Sequence, residues 1–338
     1  MRRARLKIPG RAAFAIAAFA AFSSLTACRQ QDKTPEQSTL RVGVYLAQGY
    51  LPFFAIQELE LDRKQGIKLA LEKKTYLGGA AVIDAIAAGS VDLGSAGSVP
   101  LISAAALGVV PDKVLAVAAN SFADPDHPAS AVLADSRVTD WKDLEGKLIA
   151  VNAVTSIQGV AIKARLKIEN VKNYKLVEMS FANMGLAVSG GNVAAAALYE
   201  PFLSQSLLRG DGKLLGWIIG GPPFVRIQST LIVFSADLYR NKPETVKAFL
   251  RAYLQAVEWI NKNPERARSV LARWMELDGE IGRKIQLLRW PENGLSDPAS
   301  LEQIQSIMMD VGMLKEKIAV DRIYDETLLK EVLAEKAG

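Results

Sequence analysis

The chain has 338 residues, of which 50% are hydrophobic and 23% charged, a composition that excludes disordered and collagen-like proteins and allows two lobes with separate cores. Its single cysteine excludes a disulfide framework and a cysteine-rich zinc cluster, and its single histidine excludes a multi-histidine metal site. The formal net charge of +5 suggests a nucleic-acid partner only until the amino-terminal segment is considered separately.

Residues 1–27 are typical of a secretory signal peptide. Five basic residues and no acidic one precede the apolar run Ala12–Phe22, which is shorter than the roughly 20 residues that span a bilayer. The segment ends in Leu25-Thr26-Ala27-Cys28, which resembles the lipobox of bacterial lipoproteins, where the cysteine becomes the acylated amino terminus. A plain signal peptide with an incidental cysteine is the alternative. We predict lipidation at Cys28, because the only cysteine occupies the one position where it would be processed.

Without this leader the chain is electrically balanced, since its 36 acidic residues face an equal number of basic ones. The balance leaves no polybasic patch for nucleic acid or anionic lipid. Residues 28–39 are polar after Cys28 and are predicted to form a flexible tether between lipid and domain. We therefore expect a periplasmic or otherwise extracytoplasmic protein that is anchored to a membrane by lipid at Cys28.

From Leu40 onward, short β-rich runs alternate with helical patterns, which is typical of an α/β fold with parallel sheets. The predicted strands are Leu40–Leu46, Ile67–Lys73, Val91–Ser95, Val114–Ala119, Ala131–Ala134, Leu148–Asn152, Leu176–Met179, Val193–Ala197, Leu214–Ile219 and Thr230–Phe234. A long amphipathic helix is predicted to begin at Pro243, because apolar residues recur at three- and four-residue spacing from Val246 to Ile260. The chain from there to Gly338 is predicted to be mostly helical.

Residues 83–97 and 185–201 share one pattern, a helix followed by a glycine turn and a strand of small residues. The repeat predicts two lobes of related architecture; a single large sheet with a coincidental similarity is the alternative. Residues 124–128 (DPDHP) and 220–223 (GGPP) are predicted to be two crossings of one hinge between the lobes.

Four motifs carry a resemblance to a known family. They are LPFFA at 51–55, AAGSVDLG at 87–94, WKDLEGK at 141–147 with IAVN at 149–152, and YEPF at 199–202. Their order and spacing resemble those of periplasmic substrate-binding proteins of ABC importers, in the branch that handles nitrate, sulfonates, taurine and thiamine-pyrimidine precursors. The chain departs from this family at Glu58–Leu61, where a glycine and an aromatic residue are more common.

The resemblance implies a type II periplasmic-binding-protein fold, in which two α/β lobes, each a mostly parallel sheet flanked by helices, are joined by a two-stranded hinge. Lobe 1 would combine residues 40–124 and 229–338, and lobe 2 would contain residues 129–221. The lobes would close over a small solute and deliver it to an ABC permease and its ATPase. We expect a monomer without metal or cofactor, because neither a metal-ligand cluster nor a nucleotide-binding loop is visible.

Ligands of parallel α/β sheets bind beyond the carboxyl ends of strands, where helix N-termini offer free N–H groups to an oxyanion. The candidate ligand-binding residues at these places are Gln48, Tyr50, Gly79, Ala80, Ser98, Asn120, Phe122, Thr155, Ser156, Tyr199 and Glu200. Because these loops contain almost no Lys or Arg, we predict that N–H groups and hydroxyls at Gly79–Ala80 or Thr155–Ser156 hold an anionic end of the solute. The body of the solute would lie against Tyr50, Phe122 or Tyr199, and Glu200 would face a cationic or hydroxylated part of it.

Several candidates also have a purely structural interpretation. Thr155 and Ser156 would serve only as helix caps, Gly79 only as part of a turn, and Tyr50 and Phe122 only as core aromatics. Glu200 either faces the cleft or pairs with a nearby arginine such as Arg226.

Two functions other than solute import remain open at this point. Thiamine-pyrimidine synthases share the fold, but they depend on histidine- and cysteine-bearing motifs that the lone His127 and Cys28 do not supply, so we predict no enzymatic activity. A tethered ligand-sensing partner of a signalling receptor would have the same sequence features as an importer component.

Overall fold

The structure, a computed structural model, describes residues 38–72 and 76–337. The predicted signal peptide, Cys28 and most of the predicted tether lie outside the described residues. Ser38 and Thr39, which we expected to end the tether, instead begin the first strand, where they pair with Ile67 and Lys68. Within the described ranges, no helix has both the length and the apolar character needed to cross a membrane.

The strands of the described residues are β1 Ser38–Gly43, β2 Ile67–Glu72, β3 Leu93–Gly97, β4 Val114–Ala123, β5 Ser130–Ala134, β6 Lys147–Val151, β7 Tyr174–Glu178, β8 Ala195–Tyr199, β9 Lys213–Ile219 and β10 Ile227–Ser235. The helices are α1 Leu51–Glu58, α2 Leu61–Lys64, α3 Gly79–Ala87, α4 Ser98–Ala106, α5 Ile157–Ile168, α6 Phe181–Ser189, α7 Phe202–Arg209, α8 Ala236–Asn241, α9 Pro243–Lys262, α10 Pro264–Trp274, α11 Gly279–Lys284, α12 Pro298–Asp310 and α13 Thr327–Ala337. Short 3-10 helices occur at Gln48–Tyr50, Trp141–Leu144 and Val320–Arg322. Every predicted strand overlaps an observed one, and the predicted long helix is α9.

The strands form two five-stranded sheets with the orders β2-β1-β3-β10-β4 and β7-β6-β8-β5-β9. In the first sheet β1 is parallel to β2 and β3, whereas β10 is antiparallel to β3 and β4. In the second sheet β6 is parallel to β7 and β8, whereas β5 is antiparallel to β8 and β9. Four strands of each sheet therefore share one direction. The prediction of two mostly parallel sheets flanked by helices is confirmed, and the alternative of one large sheet is wrong.

In each sheet, the strand that runs against its neighbours is the first strand after the chain crosses over from the other sheet. This strand is β5 in the second sheet and β10 in the first. The chain leaves the first sheet after β4, crosses at residues 124–129 and enters the second sheet as β5; it returns through residues 220–226 and enters the first sheet as β10. Because both crossings start at the edge where parallel strands end, the entering strand has to run against its neighbours. The two sequence repeats correspond to α3–β3 and α6–β8, and β3 and β8 are the third strands of the two orders.

The two crossings lie side by side. The N–H of Ala129 donates to the carbonyl of Ile219 at 2.8 Å. A Cβ at Gly220, whose φ is +88°, would lie only 2.4 Å from Pro128 Cα. Gly220 therefore combines a left-handed backbone conformation with a close backbone approach, a combination that only glycine allows at low cost.

The first sheet is stabilised mainly by the carboxy-terminal helices. In α9, the apolar stripe predicted from its spacing is buried, and Phe249 lies between Phe53 and Phe234 with ring centroids 5.7 and 5.2 Å away. This packing, which joins residues far apart in sequence, holds α1 and β10 on one core and so fixes the loops at the carboxyl ends of the strands.

Candidate functional site

A cavity of about 50 Å³ lies between the two sheets, among loops that follow the carboxyl ends of their strands. Its lining from the first sheet and the segments beside it consists of Tyr45, Ala47, Gln48, Gly49, Gly78, Gly79, Gly97, Pro100, Ser229, Thr230 and Leu288. Its lining from the second sheet consists of Asn152, Ser156, Ile157, Gln158, Phe181 and Tyr199. Within the part of the chain that the structure describes, no residue of this lining is an Asp, Glu, Lys or Arg. Its volume has room for a few water molecules or for one compact polyatomic group.

Four helices begin at this cavity. Gly78 and Gly97 are the N-cap residues of α3 and α4, Ser156 is the N-cap of α5, and Phe181 is the first residue of α6. The N-cap residues of α3, α4 and α6 make no side-chain capping bond, and the first turn of a helix has N–H groups without an intrahelical acceptor. Helix N-termini carry partial positive charge, and their convergence makes the uncharged cavity attractive to an anion.

Two glutamine side chains on opposite sides of the cavity carry unpaired donors. Gln48 and Gln158 are each 1% exposed, and the Nε2 atom of each has no hydrogen-bond partner among residues 38–72 and 76–337. The orientation of the Gln48 amide is fixed, because its Oε1 accepts from the Leu288 N–H at 3.2 Å. A buried donor without a partner forfeits its hydration, which makes these two amides candidates for contact with a bound acceptor.

Hydroxyl groups complete the donor set. Burial raises the pKa of Tyr45 to about 12 and raises that of Tyr199 further, so both phenols stay protonated at neutral pH. The Ser229 hydroxyl faces the Tyr199 phenol outside regular hydrogen-bonding geometry. The Phe181 ring meets the Tyr199 ring edge-on at 6.0 Å and supplies an apolar wall.

Four of the sequence-predicted residues line this cavity: Gln48, Gly79, Ser156 and Tyr199. Ser156 also has the structural role proposed as its alternative, because its Oγ accepts from the Gly159 N–H at 3.2 Å. That hydroxyl lies 2.7 Å from Asn152 Oδ1, which leaves the Asn152 Nδ2 group free to face Gly78 across the cavity. Ligand contact by these residues stays a prediction.

Tyr50 and Asn120 lie behind the cavity wall, contrary to the expectation that they contact the solute. The Tyr50 hydroxyl donates to the Gly43 carbonyl at 2.8 Å and accepts from the Ser95 N–H at 3.1 Å, so its polar end is satisfied by the backbone of β1 and β3. The Asn120 Nδ2 group lies within 3.0 Å of Gly49 O, Ser95 Oγ and Thr230 Oγ1. Asn120 therefore positions two lining residues, Gly49 and Thr230.

The remaining neutral candidates also point elsewhere. Ser98 Oγ donates to the Gln228 carbonyl, which ties α4 to β10. The Phe122 ring lies 5.2 Å from the Arg289 guanidinium, at a backbone bridge that joins Phe122 to Arg289. Ala80 and Thr155 are exposed. Ala80 directly follows the lining residue Gly79, and Thr155 directly precedes the lining residue Ser156. Backbone N–H groups near them remain available, but their side chains do not enter the cavity lining.

Glu200 is buried and is not among the residues that line this cavity; that it faces the cleft between the lobes stays a prediction. Its carboxylate accepts from the Ser204 N–H at 3.0 Å and from Ser204 Oγ at 2.8 Å, and it thereby caps α7 instead of pairing with Arg226. It lines a separate pocket of about 480 Å³ with Leu203, Trp217 and residues of the carboxy-terminal segment. Among the described residues, 38–72 and 76–337, no Asp or Glu lines this cavity.

The Glu200 environment predicts a pH dependence of stability. Burial raises the pKa of Glu200 above its usual 4.5, while the hydrogen bonds from Ser204 lower it by less. An acid with a higher pKa in the folded state binds more protons when folded, so stability falls as pH rises from the unfolded pKa through the folded one. We expect the stability of Glu200→Gln relative to the wild type to increase over this interval, measured by urea unfolding at a series of pH values.

The control Glu145→Gln should give the opposite trend, because hydrogen bonds lower the pKa of Glu145. Parallel pH profiles for wild type and Glu200→Gln would contradict the prediction.

Sequence reasoning missed lining residues of two kinds. Asn152 ends the motif at 149–152, and Gln158 lies two residues after the predicted Ser156; their position just after β6 and in the first turn of α5 was a usable signal. Ser229, Thr230 and Leu288 reach the cavity only through the second crossing and the carboxy-terminal segment. No local pattern marks these three residues.

No three His, Cys, Asp or Glu side chains of residues 38–72 and 76–337 come together as a metal site. His127 lies at the first crossing, where its Nδ1 is 3.2 Å from Asp124 Oδ1, and it is not part of the cavity lining.

The fold is shared with several solved structures. The ligand-binding component of an ABC-type import system from Staphylococcus aureus with zinc bound has a TM-score of 0.75 at 15% identity, covering 88% of this chain and 99% of that one. The periplasmic nitrate-binding protein NrtA from Synechocystis PCC 6803 has a TM-score of 0.74 at 16% identity, covering 89% of both chains. The alkanesulfonate-binding protein SsuA from Xanthomonas axonopodis pv. citri bound to MOPS has a TM-score of 0.70 at 19% identity, covering 85% and 98%. At these identities the likeness shows the fold alone.

No curated protein matches the sequence significantly. The sequence model of the family described as NMT1/THI5 like matches residues 49–267, more than half of the chain. The match includes every motif on which the predicted resemblance was based, and the resemblance is confirmed. The chain belongs to the NMT1/THI5-like family.

Proposed function

We propose that this protein is the substrate-binding component of an ABC importer, which captures a small solute between two lobes and delivers it to a permease and its ATPase. The observation that carries the proposal is the uncharged, donor-rich cavity between the sheets, at which four helices begin. Two of the solved structures that share the fold are a nitrate-binding protein and an alkanesulfonate-binding protein, which supports a solute-binding role for this chain.

The two lobes of the proposal are residues 40–124 with 229–338 and residues 129–221. The adjacent crossings at 124–129 and 220–226 would act as the hinge, because they are the backbone connections between the sheets. A solute that contacts both linings would shift the population toward the closed form by its differential affinity for that form. The proposed mechanism needs no catalytic group.

The cavity favours a solute with one compact acceptor group, such as nitrate or a sulfonate. Several neutral donors can hold such an anion, each contributing about 1 kcal/mol net. Taurine carries an ammonium group as well, and Glu200, which binds Ser204, is not in the lining; the described lining residues include no carboxylate to pair with that group. We therefore expect taurine to bind more weakly than an alkanesulfonate of the same length.

A binding screen tests the proposed function. Mature protein would be screened by thermal shift and calorimetry against nitrate, alkanesulfonates, taurine, carboxylates and pyrimidines, and we expect saturable one-to-one binding of a member of the first two groups. Failure of every anion to bind, with tight binding of a cationic solute, would contradict the assignment. A sensing role would bind the same solute but would show no stimulation of a reconstituted permease.

The predicted anchor is tested separately. Cys28→Ser should move the protein from the membrane fraction to the soluble fraction, because it removes the acylated residue of the Leu25–Cys28 motif. The readout is fractionation combined with mass spectrometry of the amino terminus. An unprocessed wild-type chain, or a variant that stays membrane-bound, would contradict lipidation. We also propose that the mature protein is monomeric.

A further inference from the structure

A second pocket lies apart from the cavity assigned to the solute. It has a volume of about 480 Å³ and is lined by α7 and β9 of the second sheet and by residues 284 and 286 at the end of α11. Among the described residues, none lines both this pocket and the cavity between the sheets. A ligand bound here would therefore occupy a separate site.

The walls of this pocket are apolar, although they are open to solvent. Leu207 and Leu208 of α7 are each 38% exposed, Leu214 of β9 is 43% exposed, and the Trp217 side chain of β9 lines the same pocket. Pockets of roughly 300–1,000 Å³ with mostly apolar walls and a few polar groups are typical of small-molecule sites. Exposed leucines that share one concave surface therefore indicate a place for an apolar ligand.

One end of the pocket is marked by the carboxylate of Glu200. This residue is 3% exposed, and its carboxylate accepts from the Ser204 N–H at 3.0 Å and from Ser204 Oγ at 2.8 Å. The backbone N–H of Gln286 also stabilises the ionised form and so lowers the pKa of Glu200. Because Ser204 and Gln286 both line the pocket, the carboxylate lies where α7 meets the end of α11.

This carboxylate has hydrogen bonds but no countercharge. Among residues 38–72 and 76–337, no Lys, Arg or His forms an ion pair with Glu200, and burial raises its pKa. Buried charges in folded proteins are usually paired. A carboxylate has about four lone-pair sites, so Glu200 can accept a further donor beside those from Ser204.

Lys284 lines the pocket but is engaged elsewhere. Its Nζ lies 3.1 Å from Glu280 Oε1, and its side chain is 55% exposed, so Glu280 and water screen its charge. Lys284 therefore does not neutralise Glu200.

We propose that this pocket is a second binding site, which takes a small organic cation with an apolar alkyl or aryl body. The ammonium group would pair with Glu200 and supply the countercharge that the described fold does not provide. The apolar body would cover the exposed leucines of the pocket and gain the free energy of burying their surface. Trp217 favours the same class of ligand, because aromatic faces attract cations.

Calorimetry with n-hexylammonium tests the proposal. The mature protein should bind it saturably and one-to-one, and more tightly than hexanoate, which has the same chain length and the opposite charge. Glu200→Gln keeps the size and an acceptor oxygen for Ser204 but removes the charge. Its affinity for n-hexylammonium should fall about tenfold or more, whereas its affinity for hexanol should stay unchanged.

A second variant tests the apolar wall. Leu208→Ser should weaken the binding of n-hexylammonium and of hexanol several-fold, because it removes part of the surface that the ligand covers. Leu186→Ser is the matched control, since Leu186 is an exposed leucine of the neighbouring α6 that does not line the pocket. If Glu200→Gln fails to fold, the wild-type preference for n-hexylammonium over hexanoate tests the charge in its place.

Three results would overturn the proposal: no saturable binding of n-hexylammonium at millimolar concentrations, equal affinity for hexanoate, or unchanged affinity in a folded Glu200→Gln variant. The outcome is separable from that of the proposed function. Binding of n-hexylammonium to protein already saturated with the anion identified in the screen would support two separate sites. Displacement of n-hexylammonium by that anion would place both in one cavity and overturn the second site alone.

Discussion

Replacement of Tyr50 by alanine is expected to lower the free energy of unfolding by about 3–5 kcal/mol, the range found for buried aromatic residues cut back to alanine. The ring is completely buried, with the Tyr45 and Phe53 rings 5.0 and 5.2 Å away. Its hydroxyl also joins β1 to β3 through Gly43 and Ser95. The variant therefore loses packing and leaves backbone groups of two strands unpaired.

Tyr50→Phe separates the two contributions. It keeps the ring and removes only the hydroxyl, so we expect a loss of about 1–3 kcal/mol from the unpaired backbone groups. Urea unfolding of both variants gives the values, and Tyr324→Phe, at a partly exposed phenol, serves as the control. A Tyr50→Ala variant as stable as the wild type, combined with lost solute binding, would show that Tyr50 acts in the site.

Gly79→Ala is expected to weaken solute binding by about tenfold or more. A Cβ at Gly79 would lie 2.8 Å from the Gly97 backbone nitrogen and 3.0 Å from Ala96 Cα, so the start of α3 would have to move away from the start of α4. Overpacking of this kind costs about 1–3 kcal/mol of folding stability. Affinity falls by the part of this strain that is larger in the bound form, and about 1.4 kcal/mol of such a difference corresponds to tenfold. Both helix starts line the cavity, so the displacement acts directly on the donors there.

Ala80→Ser is the control for this substitution, because Ala80 is exposed and is the next residue of α3. Calorimetry with the solute identified in the screen should show unchanged affinity for Ala80→Ser. An equal affinity of Gly79→Ala and wild type would mean that the α3 start does not contribute to binding.

The fold was predictable because its signals are local. Each strand is marked by its own β-rich run, and the repeat at 83–97 and 185–201 identified β3 and β8 as equivalent strands. The reversal of β5 and β10 follows from the two crossings, although only the assembled sheets show it. The positions of the strand ends were predicted less accurately. Strand β10 begins three residues earlier than predicted, because its backbone there pairs with the last residues of β4.

The lining residues that were predicted lie in loops a few residues after a strand, as do Gln48 and Ser156, at a helix start, as does Gly79, or at a strand end, as does Tyr199. Tyr50 was misplaced because an aromatic side chain beside a loop looks the same in sequence whether its hydroxyl meets solute or backbone. Glu200 had a usable signal that we did not apply: a serine four residues later, at Ser204, can donate its N–H and hydroxyl to one carboxylate. Leu288 reaches the cavity through a tertiary contact with Gln48 that the intervening chain does not mark.

Small-angle X-ray scattering during titration with the identified solute tests the central claim most directly. If the solute lies between the two sheets and closes them, the radius of gyration should fall along the same saturation curve as the calorimetric signal. Saturable binding that leaves the radius of gyration unchanged, and that survives both Gly79→Ala and Gln158→Met, would place the solute elsewhere and contradict the account.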